Sequence, residues 1–366
     1  MKTLQLQTDT QSRASATWRR FASFGVVATL LLTAATSWGQ GPRRNSYTRT
    51  DLVSDVPGLA KYTDPNLVNP WGLTLGAEFW VSNAGTGTST LYDLEGAPLP
   101  LVVTIPPSAS NTEGISAPTG QVYNPGSNFI VSNGTTSGPA IFIFVSEDGG
   151  ISGWNPDVDV NNAILAVDHG AQESNYKGFA ISDSLDRLYA TDFYNAKVEM
   201  YDANFNEIDN ASTFLDPGIP AGYAPFGIQS INGSIYVTYA LQDADKADDV
   251  PGPGHGYVSV FDTNGNFIQR LISRGSLNSP WGLALAPSGF GKASGKLLVG
   301  NFGNGRINMF DLATGANRGP LRKSNGAPMV ISGLWALLFV DEDLYITAGI
   351  DGEAHGMFSE INADSP

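Results

Sequence analysis

Asn83, Asn133, Asp192, Tyr239 and Asn301 close five short apolar runs, and their amide, carboxylate and phenol groups are the material of a polar binding site. Asp192, Asn301, Asn83 and Asn133 together offer oxygens to a hard cation such as calcium, which takes six to eight of them. Asp192 alone in that set carries charge, so it is the expected anchor for a cation or a ligand's hydrogen-bond donor. A second reading stands beside this one, because Asn and Asp also end strands simply by starting turns. His169, His255 and His355 are the three histidines. On one face they would suit zinc binding or acid–base work, with Asp351 and Glu353 as natural partners of His355; the alternative is that they are surface histidines in long loops. His255, His355 and Glu353 are therefore the catalytic candidates. Residues 242–254 carry Asp243, Asp245, Asp248 and Asp249 but lack the spacing of an EF-hand loop, and read as an acidic lid. No Gly-x-Ser-x-Gly elbow or phosphate-binding loop occurs, which disfavours serine-hydrolase, kinase and dinucleotide chemistry.

What must position these residues is a repeat. Six triplets recur: Pro70-Trp71-Gly72, Pro118-Thr119-Gly120, Tyr176-Lys177-Gly178, Pro225-Phe226-Gly227, Pro280-Trp281-Gly282 and Leu334-Trp335-Ala336. Their third residues are 48, 58, 49, 55 and 54 positions apart, and each opens a unit of short strands. That period predicts an all-β, six-bladed propeller with four-stranded blades. In such a ring the first strand lines the axis. Loops leading into the first strands, and loops joining second to third strands, then open on one face. Second strands are expected at 79–83, 129–133, 188–192, 235–239, 297–301 and 344–348, and Asn69, Asn175 and Asn278 join the ring from the loops before first strands. The last unit has no room for a fourth strand, so residues 47–53 are expected to pair with 356–361 and close the ring, removing an open sheet edge. Asp93, Asp202, Asp262 and Asp311 follow third strands as turn caps. Trp71, Trp281 and Trp335 are expected as wedges between blades, and Trp154 as an exposed aromatic.

Pro-Trp-Gly at 280–282 followed by Leu-Leu-Val-Gly-Asn-Phe-Gly-Asn-Gly-Arg-Ile-Asn-Met-Phe-Asp at 297–311 resembles the NHL repeat of six-bladed propellers. Residues 46–361, and especially Asn66-Leu67-Val68-Asn69-Pro70-Trp71-Gly72, are also similar to a family of uncharacterised secreted bacterial proteins. The resemblance implies fold and compartment and no activity. Ala336 and Lys177 depart from the repeat pattern.

Residues 1–39 read as a signal peptide ahead of a single propeller domain at 40–366. Lys2, Arg13, Arg19 and Arg20 precede the apolar run 21–35, which is shorter than the roughly 20 residues a spanning helix needs. Arg19-Arg20 hints at the twin-arginine route, Ala22-Ser23 fits it poorly, and an uncleaved anchor is the further alternative. The whole chain carries 20 Lys and Arg against 35 Asp and Glu. Such an acidic surface repels nucleic acid and anionic membranes. With no Cys there are no disulfides and no thiolate chemistry. The expectation is a secreted or periplasmic monomer without stable membrane insertion. It would bind a small molecule, peptide or extracellular polymer through its polar channel face; the alternative is a calcium-type hydrolase, lactonase or lyase at the same face.

Overall fold

The computed structural model describes residues 46–208 and 212–364, so the expected signal segment at 1–39 lies outside the described residues. The described residues form one compact unit, built from six blade sheets, antiparallel but for one short added strand, and a small separate two-stranded sheet. The only helical segments among the described residues are single 3-10 turns at Gly170–Gln172 and Gly291–Ala293. No described helix is long and apolar enough to cross a membrane.

Five of the six first strands begin at their triplets and the fourth begins two residues before its own: Pro70–Leu75, Pro118–Tyr123, Tyr176–Ile181, Tyr223–Ile231, Pro280–Leu285 and Leu334–Val340. Each packs on the next, and the sixth packs on the first, which closes the ring. The third residue of the triplet explains how they come so close. A Cβ at Gly227 would lie 2.1 Å from the Trp281 carbonyl oxygen, and one at Gly282 would lie 2.4 Å from that of Trp335. Only a bare backbone fits between neighbouring inner strands. Thr191 and Thr347, on the second strands of blades three and six, then donate hydroxyl bonds to the Phe226 and Trp71 carbonyls of the next blade.

Blades one, four and five have the expected four strands in sequence order, and the second strands Phe79–Asn83, Leu188–Asp192 and Lys296–Asn301 end on the anticipated residues. Blade three shows three strands, with an isolated bridge from Tyr201 to Glu207. In the sixth blade, Tyr47–Ser54 pairs antiparallel with His355–Ala363, from Tyr47 opposite Ala363 to Ser54 opposite Met357. The N-terminal strand thus supplies the missing fourth strand. Tyr62–Thr63 adds a short parallel strand beyond it.

Blade two corrects the sequence reading. Its first strand pairs directly with Phe142–Ser146, followed by Gly150–Trp154 and Ile164–Asp168. The segment taken for its second strand instead makes a small separate hairpin, Ile130–Ser132 with Ser137–Pro139. That hairpin sits in the connection from first to second strand, which opens on the face opposite the triplets. Trp154 is likewise not an exposed aromatic. It ends the third strand, buried against Trp80 with ring centroids 4.7 Å apart, and its indole N–H donates to the Val160 carbonyl at 3.1 Å. The four turn aspartates behave as caps: Asp202 and Asp262 each accept backbone N–H bonds from the residues two and four positions on.

Candidate functional site

In five of the six triplets the second residue meets the others at the axis, while Thr119 of the second donates its hydroxyl to the Tyr176 carbonyl. Trp71 stacks on Trp335 with centroids 3.4 Å apart, and Trp281 meets both edge-on at 5.9 and 5.7 Å. Phe226 closes on Trp335 at 6.0 Å, and Phe302 covers the other side of that ring at 4.1 Å. Trp335 thus meets Trp71, Trp281 and Phe302 of the two adjacent blades, as expected of rings between blades. Trp71 with Trp281, and Phe226 with Trp335, join blades that are not neighbours, so the tryptophans also form an axial plug. Below them the channel narrows to a cavity of about 50 Å³ lined by inner-strand residues such as Gly120, Phe179 and Ile228.

Lys177 occupies the same axial position in blade three, where the pattern departs from aromatic. Its side chain is 1 % exposed, with the ammonium 5.4 Å from the Trp71 ring centre and 5.9 Å from that of Phe193. It pairs with Glu147, and with Asp248 at 3.2 Å. Burial alone would pull the ammonium pKa down, but the two carboxylates outweigh it and hold Lys177 above its ordinary value. Two more carboxylates belong to this group. Burial raises Asp249 to about 6, and raises Glu353 to about 7 with Glu147 and Asp248 adding to the effect and Lys177 opposing it.

The topology accounts for this gathering. Glu147, Asp248 with Asp249, and Glu353 lie in the loops joining second to third strands of blades two, four and six, around the lysine of blade three. The residue 242–254 loop is pinned over the ring. Gln242 donates to the Phe193 carbonyl at 2.6 Å, and Gly252 N–H donates to Asn278 Oδ1 at 2.7 Å. Glu353 sits at φ +70°, a left-handed conformation uncommon for a residue with a Cβ. Two buried polar atoms here, Trp71 Nε1 and Glu353 Oε1, have no hydrogen-bond partner. Asp249 Oδ2 lies outside hydrogen-bond geometry too, with the Ser279 hydroxyl near enough to hold its pKa down against burial. A native fold leaves few such atoms, and each calls for an explanation. Together they present a cation, unused acceptors and an unused donor above an aromatic floor.

The residues expected from sequence divide. Asn83, Asp192, Tyr239 and Asn301 do occupy one position, each opposite the first residue of its triplet. Their side chains turn into the blades. Asn83 donates to Thr90 at 3.0 Å, and Asn301 to the Ser276 carbonyl at 2.8 Å. Tyr239 is buried, and burial raises its phenol pKa. Asp192 is wholly buried as a turn cap, accepting from Asn175 N–H at 3.1 Å and Asn195 Nδ2 at 2.7 Å; burial raises its pKa. Asn133 is not in this ring; it caps the small hairpin on the opposite face, and Ser146 stands opposite Pro118 instead. Among the described residues no three His, Cys, Asp or Glu side chains are grouped as ligands for a metal ion.

The histidines also go separate ways. His255 Nδ1 lies 2.8 Å from the Val250 carbonyl. His355 pairs with Asp55 at 2.7 Å, not with Glu353 or Asp351. His169 joins a different network, 3.0 Å from the Tyr176 hydroxyl and 3.2 Å from the buried Glu199. There burial pushes Glu199 up, but Lys197, Tyr176 and Tyr201 hold it below its ordinary value. The sequence did mark Lys177 as an irregularity in the triplets and Asp248 and Asp249 as part of an inserted loop. Nothing in it joined them to Glu147 or Glu353.

No family model matches the chain. It is 36 % identical over 339 residues to "Uncharacterized protein R648" of Acanthamoeba polyphaga mimivirus, covering 88 % of this chain and 82 % of that one. A second mimivirus protein, "Uncharacterized protein L690", is 34 % identical over 339 residues and covers 88 % of both chains. The chain belongs to their family. Among solved structures it is similar to the soluble aldose sugar dehydrogenase of Escherichia coli, with a TM-score of 0.52 at 13 % identity over 87 % of this chain and all of that one. A streptogramin B lyase gives 0.51 at 9 % identity over 88 % and 99 % of the two chains. At these identities the likeness shows the propeller fold, whose members have varied activities, and nothing of substrate.

Proposed function

We propose that the protein is an extracytoplasmic binding module that takes a ligand carrying amine or hydroxyl donors at the Lys177 cluster. The observation that carries this is the pair of half-buried carboxylates, Asp249 and Glu353, each with an oxygen that no donor satisfies. A donor-bearing ligand would hydrogen-bond both and draw them to their ionised forms. Small molecules, short peptides and chain ends of an extracellular polymer share that chemistry. Export through residues 1–39, a monomeric state and an NHL-type repeat complete the proposal; the last rests on the Pro-Trp-Gly triplets and the 297–311 motif.

One observation supports an enzyme at the same place. Carboxyls with pKa values near 6 and 7 are poised to give and take protons at neutral pH, as a lyase or hydrolase requires. A thermal-shift screen of amines, sugars and lactones against the parent and the Asp249→Asn/Glu353→Gln variant separates the cases. Binding predicts shifts from amines or polyols that vanish in the variant. Turnover of a lactone that depends on Glu353 would favour the enzyme, and shifts that survive in the variant would refute the site.

A further inference from the structure

A second concavity lies on the same face, beside the residue 242–254 loop and apart from the Lys177 cluster. Its volume is about 510 Å³, and Pro253 and Val330 give it apolar walls, with the buried Leu277 behind them. Small-molecule sites commonly fall between roughly 300 and 1,000 Å³ and combine apolar walls with a few placed polar groups. Here the placed groups are Asn304 and Arg306.

Arg306 is unusual in this chain. Acidic residues outnumber basic ones by 35 to 20, yet the Arg306 guanidinium, on an exposed residue, has no carboxylate or hydrogen-bond partner among the described residues. By contrast, Arg270 makes a two-pronged pair with Asp216. Val330 is also 52 % exposed, an apolar side chain left in solvent at the rim.

The walls are rigid. A Cβ at Gly303 would meet Asn278 Oδ1 at 2.1 Å, and one at Gly305 would meet the Ile331 carbonyl at 2.2 Å, so the 303–305 turn is clamped from both sides. Asn304 Oδ1 accepts from Asn301 Nδ2 at 3.1 Å and from the Arg306 N–H at 3.3 Å. The Ser276 carbonyl is held by Asn301 at 2.8 Å and its hydroxyl accepts from Asn317 at 2.6 Å. A fixed frame thus presents one free guanidinium at the edge of an apolar hollow. That geometry matches a carboxylate, which a guanidinium can grip with two parallel hydrogen bonds, attached to an apolar body.

We propose that this hollow is a binding site for small amphipathic carboxylates, with Arg306 taking the carboxylate and Pro253 and Val330 the apolar body. It stands independently of the ligand at the Lys177 cluster.

The test uses 4-phenylbutyrate as probe and its uncharged amide as control, followed by backbone NMR shifts in the full propeller. Saturable shifts at Leu277, Asn304 and Val330 are expected for the acid, with at least tenfold weaker binding of the amide. Arg306→Gln should weaken the acid tenfold or more, and Arg306→Lys by less. Val330→Asp should also abolish it, since it places a like charge at the rim. Equal affinity for acid and amide, an Arg306→Gln variant that binds as the parent does, or shifts confined to the Lys177 cluster would overturn the proposal. So would the absence of saturation at tens of millimolar probe.

Discussion

At the scale of single residues, position two of each triplet decides what the axis contains. Trp335 is the centre of the plug, 1 % exposed and sandwiched between Trp71 and Phe302. Replacing it with alanine removes contacts to three blades at once and leaves a cavity that clamped inner strands cannot collapse to fill. Trp335→Ala is therefore expected to cost about 3–5 kcal/mol, read from urea unfolding midpoints of parent and variant. A loss below about 1 kcal/mol would mean the plug is not part of the core. Lys177 shows how a departure from a repeat can matter more than the repeat. The triplets made it visible as an exception, but a side chain's partners across a ring are set by closure, which no local pattern encodes. Asp192 shows the opposite case: a charged residue in a suggestive position whose oxygens are spent on Asn195 of its own turn and on the Asn175 N–H of the loop beside it.

Elements explain where the sequence reading held and where it slipped. Inner strands were legible because position three is glycine in five of the six units, where an added Cβ would run into the next inner strand; only the sixth, at Ala336, admits one. Ring closure was legible because a missing fourth strand at one end met a spare strand at the other. Blade two was misplaced because residues 129–133 have the alternation of a strand, and alternation specifies a pleated surface without naming its partner. The closing strand also carries a pH dependence. His355 pairs with Asp55, just past the end of Tyr47–Ser54, and this hydrogen bond raises the imidazole pKa. A raised folded-state pKa means the pair's contribution is full below the ordinary histidine value. It is then lost as pH rises through the raised one. Urea midpoints of the parent should accordingly fall over that window, and Asp55→Asn should flatten the fall. An unchanged slope in the variant would show that the closing strand is held without this pair.

For the whole molecule, the candidate site exists only because the ring closes. Lys177, Glu147, Asp249 and Glu353 come from blades three, two, four and six, and residues as far apart as 147 and 353 meet over one axis. Sequence showed the face and the inserted loop; it could not show which carboxylates would be left without donors, because that depends on burial after assembly. Glu353 reports this most directly. Its ionisation can be followed by NMR in protein labelled with ¹³C at glutamate side-chain carboxyls, assigned through Glu353→Gln, from pH 4 to 9. The expected midpoint in the free protein is about 7, well above an ordinary carboxyl, and it should rise further in Lys177→Met because a neighbouring positive charge is lost. A midpoint in the ordinary carboxylate range, unmoved by Lys177→Met, would contradict a donor-starved binding site on the axis.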